Sequence, residues 1–90
     1  MIKLIDGYFL TITEPHNVYM QREVPGEEPE YVGRFPSIDV AVLRAKDIIA
    51  NARIRNAGDI SLEEAEMIVI RTENDIENLR YNPERLFYTE

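Results

Sequence analysis

The hydrophobic pattern of this chain changes period once, close to Pro36. Before it, short runs of β-branched and aromatic residues alternate with polar ones and are broken by turn residues. After it, apolar residues recur at steps of three and four. Tyr8 to Thr13 (YFLTIT) has the composition of a strand. Glu14-Pro15-His16-Asn17 predicts a turn, because proline fixes its own backbone angle and asparagine tolerates the left-handed region. From Val18 to Val24 the extended pattern resumes, with Val18, Met20 and Arg22 on one face and Tyr19, Gln21 and Glu23 on the other. Pro25 to Pro29 predicts a second, exposed turn, and Glu30 to Phe35 a third strand. Residues 2–5 either extend the first strand or add a separate piece.

The helical half begins at Ser37, a good N-cap, with Asp39 in the first turn where the helix dipole favours an acid. Ile38, Val42, Ala45, Ile49 and Ala52 make one apolar stripe, and Val40, Leu43 and Ile54 a partial second one. Two apolar faces on one helix predict two packing partners. Gly58 suits the left-handed position after a helix. Ser61-Leu62-Glu63-Glu64 then matches a capping box, S-x-x-E, and opens a second helix. Leu62, Ala65, Val69, Thr72, Ile76 and Leu79 form its main stripe, and Met67 and Ile70 an extra apolar edge. Pro83 closes that helix, and Arg85 to Tyr88 read as an apolar tail.

Strands grouped ahead of helices favour an α+β fold. The expected architecture is a three-stranded antiparallel meander followed by a two-helix antiparallel hairpin packed on it. Ninety residues are expected to form one domain, with the meander over 1–36, the hairpin over 37–82 and a tail over 83–90.

Composition removes several chemistries. The chain has no cysteine, so disulfides, thiolate nucleophiles and zinc ribbons are excluded. No stretch is long and apolar enough to span a bilayer, and the start makes a poor signal peptide, so no membrane partner and a cytoplasmic setting are expected. Net charge is −7 and is unevenly placed. Residues 61–90 hold eight acids against three arginines, whereas 37–60 hold four cations against three acids. An acidic surface repels phosphate backbones at long range, so nucleic acid is not the expected partner.

Candidate chemistry is sparse. Gly33-Arg34 beside a helix start raises Arg34 as an anion-binding residue, although Pro36 lacks an N–H and no phosphate-loop pattern is present. His16 is the single histidine and sits in a turn, so a histidine metal site and a carboxylate di-metal bundle are both excluded. No nucleophile, base and anion stabiliser fall together, which points away from an enzyme and from any cofactor. Glu66, Glu73 and Glu77 share one helix face with Glu63 nearby, and such a face can imitate phosphate charge in a basic groove. Phe87 and Tyr88 in the tail would mark a partner surface if left exposed.

Asp6-Gly7-Tyr8-Phe9-Leu10-Thr11, Tyr31-Val32-Gly33-Arg34-Phe35 and the Ser-started helix over Ser37–Ala45 resemble small, mostly uncharacterised proteins of phages and prophages. The resemblance covers the first half of the chain. It implies an accessory protein that inhibits or regulates host machinery, of the anti-CRISPR kind.

The expected function is therefore a non-enzymatic interaction module. Its partner-binding residues would be Glu63, Glu66, Glu73, Glu77, Phe87 and Tyr88, and its partner a host or phage protein. Two alternatives stand beside it. One is a homodimer that hides the surplus apolar helix surface. The other is a weak nucleic-acid binder using Arg44, Arg53 and Arg55 of the first helix.

Overall fold

A computed structural model describes residues 1–14 and 16–80. The expected tail, with Phe87 and Tyr88, and the stop at Pro83 lie outside the described residues. Six elements follow in order: β1 (Ile2–Lys3), β2 (Tyr8–Glu14), β3 (Asn17–Arg22), β4 (Glu30–Phe35), α1 (Ile38–Ala57) and α2 (Leu62–Arg80). The chain is α+β, an antiparallel sheet followed by two helices. It divides into two compact units, Met1–Leu43 and Arg44–Glu90, and the division falls inside α1.

The sheet has four strands in the order β1-β2-β3-β4, not the three expected. The extra strand is the piece at residues 2–5, which turns back instead of lengthening β2. Asp6 and Gly7 make that turn, with φ of 56° and 82°, and the Tyr8 N–H donates to the Ile5 carbonyl at 3.0 Å. An Asp-Gly pair with both residues left-handed is a preferred two-residue hairpin connection. The signal was present in the sequence, between Ile5 and Tyr8. Pro25-Gly26 makes the expected second turn, with Gly26 at φ 77° and the Glu27 N–H donating to the Val24 carbonyl at 3.0 Å.

Register sorts the sheet residues into two faces. Leu10 stands opposite Ile2 and Met20, and Met20 opposite Gly33, so these share a face with Tyr8, Val18 and Phe35. Leu10, Val18 and Met20 are fully buried, and Tyr8 nearly so. A Cβ on Gly33 would lie 3.2 Å from the end of the Phe35 ring, so a side chain there would require that ring to shift by a few tenths of an ångström. Arg22 also points to this side, where its guanidinium donates to Glu30 directly across the ladder at 2.8 Å. That hydrogen bond, with the carboxylate's charge, raises the Arg22 pKa above its already high value.

Between Met20 and Gln21 the ladder slips by one residue. Met20 pairs with Gly33 but Gln21 pairs with Tyr31, so Val32 is the extra residue of a β-bulge in β4.

In the second unit, α1 and α2 run antiparallel, since Lys46 bonds Glu77 while Arg53, further along α1, bonds Thr72 and Asp75. Ser61 opens α2 as expected. Its hydroxyl accepts the Glu64 N–H at 3.1 Å, and the Glu64 carboxylate accepts the Ser61 N–H at 3.4 Å. Among the described residues of this unit, Ala45, Ile49, Ala50, Thr72 and Ile76 are buried. Among the described residues no helix is long and apolar enough to cross a membrane.

Candidate functional site

The stripes predicted for the helices are only partly buried. On α1, Val42, Ala45 and Ile49 are buried, but Ile38 is exposed, and Leu43 of the second stripe is 63% exposed. On α2, Thr72 and Ile76 are buried, whereas Leu62 is 75%, Met67 53% and Ile70 51% exposed. The expectation that Leu62 joins the buried stripe is therefore corrected. It sits in the first turn, and helical geometry sets it about 40° from Ile76, at the rim of the packed face.

Glu63, Glu66 and Glu73 are all exposed on α2. They alternate with the uncovered apolar residues: Leu62, Glu66, Ile70 and Glu73 follow steps of four, four and three, with Glu63 and Met67 alongside. The surface is a mixed one, carboxylates interleaved with large apolar side chains. Glu77 does not belong to it in the same way. Its carboxylate accepts from the Lys46 ammonium, and both side chains are partly buried, so this acid joins α1 to α2.

A second polar set joins the same helices nearer their loop. The Arg53 guanidinium donates to Thr72 Oγ1 and to an Asp75 carboxylate oxygen, each at 3.1 Å. Thr72 Oγ1 in turn donates to the Ile68 carbonyl at 2.7 Å. Thr72 is fully buried, so a buried hydroxyl has both a donor and an acceptor. The polar Thr72 in an otherwise apolar stripe signalled such a partner, though not which arginine would reach it. Of the three arginines considered for nucleic-acid contact, Arg53 is thus engaged within the hairpin, while Arg44 and Arg55 are exposed.

Arg34 is exposed on β4 and stands opposite Tyr19. The first turn of α1 is capped internally, with the Val40 N–H donating to Ser37 Oγ at 3.2 Å. Arg34 therefore belongs to the second face of the sheet, with Phe9, Thr11, Tyr19, Gln21 and Tyr31. Simple alternation would have put Tyr31 and Arg34, three residues apart, on opposite sides. The bulge at Val32 puts them on the same one. Gly33, beside the shift, is a residue that marks a bulge in a strand, but spacing did not say which neighbour would be the extra residue, so their co-location was not legible.

His16 lies in the hairpin turn as expected and is exposed. An open cleft is lined by Gly7, Glu23, Val24, Pro25, Glu27 and Pro29, two carboxylates with no cation. Among the described residues no group of three His, Asp or Glu side chains is placed to hold a metal ion.

No protein-family model, no curated protein and no solved structure matches the chain.

Proposed function

We propose that this chain is a non-enzymatic protein-interaction module that docks the outer face of α2 onto a basic surface of another protein. The observation that carries the reading is the exposure of Leu62, Met67 and Ile70 among Glu63, Glu66 and Glu73. A face kept only for solubility needs charge and no large apolar residues. Exposed apolar side chains ringed by like charges are what a docking surface requires: apolar contact for affinity, carboxylates for steering and selectivity. The charge also chooses the occupant. A second copy meeting this face with its own would oppose carboxylate to carboxylate, so a cationic partner fits better. In the phage setting implied by the resemblance, such a face would cover a basic groove of host machinery and block it.

The test compares three purified forms: wild type, Glu63→Lys/Glu66→Lys/Glu73→Lys, and Met67→Ser/Ile70→Ser. Each is used to capture partners from the native host, and direct affinities are then measured for whatever the wild type retains. These side chains are exposed, so both variants should keep the wild-type melting temperature and lose the partner. Retention by both variants at unchanged affinity would refute the reading.

A further inference from the structure

We propose that the second face of the sheet binds single-stranded nucleic acid. This goes beyond the reading of α2 and concerns a different surface. Register arranges the face in two rows. Lys3, Phe9, Gln21 and Tyr31 lie across all four strands, and Thr11, Tyr19 and Arg34 form the adjoining row across three. In a chain of net charge −7 these seven positions include no acid, and Glu23 continues the same face at its margin, beyond β3. Lys3 and Arg34 are exposed and occupy opposite corners, on the first and last strands.

Between the cations lie flat rings and amide or hydroxyl groups. Tyr31 is 62% exposed and Tyr19 half-buried, and their ring centroids are 6.4 Å apart with planes tilted by 56°. Gln21 and Thr11 are partly accessible, with the Thr11 hydroxyl donating to the Gln21 amide oxygen at 3.3 Å. Phe9 is nearly buried and serves as the floor.

An aromatic sheet surface with cations at its margins suits unpaired bases, whose faces stack on rings while phosphates meet the guanidinium and ammonium. A duplex hides its base faces and would meet only the two cations, so the single strand is the occupant the chemistry favours. The acids elsewhere act through screening: at about 0.1 M salt the Debye length is about 10 Å, and local charges dominate a contact made on this face. The bulge at Val32 is what makes the site, since it brings Tyr31, the most exposed ring of this face, to the side that holds Arg34.

The probe is a fluorescent oligothymidine of about ten nucleotides, within the span of small single-strand-binding folds, with oligouridine run beside it. Fluorescence anisotropy is followed against full-length protein at several salt concentrations. Binding of either single strand is expected. Tyr31→Ala should weaken it about tenfold, the scale of one lost base stack. Arg34→Ala should lower the slope of log affinity against log salt by about 0.7, the value for one phosphate on a single strand. Arg44→Ala/Arg55→Ala on α1 should change nothing. Thermal melts confirm that the exposed substitutions leave the fold intact. No anisotropy change with either single strand at about 0.1 M salt, where the acids elsewhere are screened, would overturn the proposal. So would a duplex bound as tightly as the single strand, or affinity indifferent to Tyr31→Ala. The α2 variants are separate reagents, so failure here leaves the protein-docking reading standing, and the reverse.

Discussion

Thr72 shows how one polar atom organises a small core. It is fully buried, yet it donates to the Ile68 carbonyl and accepts from Arg53, which also reaches Asp75. Thr72→Val keeps the shape and removes the hydroxyl. Arg53 then retains only Asp75 among these two acceptors, and the net loss expected is about 1 kcal/mol, the usual worth of an intramolecular hydrogen bond. Urea denaturation followed by circular dichroism measures it. A gain in stability would show instead that desolvating the hydroxyl costs more than its bonds return.

At the scale of elements, caps and turns decide where structure starts. The Ser61–Glu64 box closes reciprocally, so Ser61→Ala should cost about 1 kcal/mol, by the usual range for an N-cap. A loss below about 0.3 kcal/mol, near the few tenths typical of a neutral cap exchange, would mean that water replaces the hydroxyl without penalty. These local signals were also the most readable part of the chain. Ser37, Gly58 and Ser61 marked helix ends correctly, and strands expected over 8–13, 18–24 and 30–35 from alternation and turn residues stand at 8–14, 17–22 and 30–35, the middle one ending two residues early. The fourth strand escaped because two residues cannot display a period, although Asp6-Gly7 announced its hairpin. Burial on the helices was less legible. Three–four spacing finds an apolar face but cannot say which of two such faces is covered, and so Leu43, Met67 and Ile70 read equally as a second packed edge or as surplus surface. Glu77 illustrates the same limit for charge: its position on the acidic face was readable, and its bond to Lys46 was not.

Over the whole molecule, charge is the property with measurable reach. Seventeen acids face ten lysines and arginines. The cross-element pairs Arg22–Glu30, Lys46–Glu77 and Arg53–Asp75 are all partly exposed and worth little individually. Repulsion among the remaining acids should outweigh them. Raising sodium chloride from about 10 mM to about 0.3 M shortens the Debye length several-fold and should raise the melting temperature by about 3 °C. A fall on adding salt would show that the pairs dominate. The expected rise also separates the two surfaces in solution. Salt should weaken docking by the α2 carboxylates and weaken a strand held by Lys3 and Arg34, even as it steadies the fold that presents both.

The extra residue in β4 has one more effect, on what this protein avoids. As the last strand of the sheet, β4 leaves a row of backbone donors and acceptors along its outer side. A flat six-residue edge of that kind invites a foreign strand to add itself, the first step toward fibrils. A kink in mid-edge breaks the spacing that an incoming strand must match. Removing Val32 would straighten the edge while leaving Tyr31 opposite Gln21 and Glu30 opposite Arg22. The shortened protein should then scatter light during storage at concentrations where the parent solution stays clear.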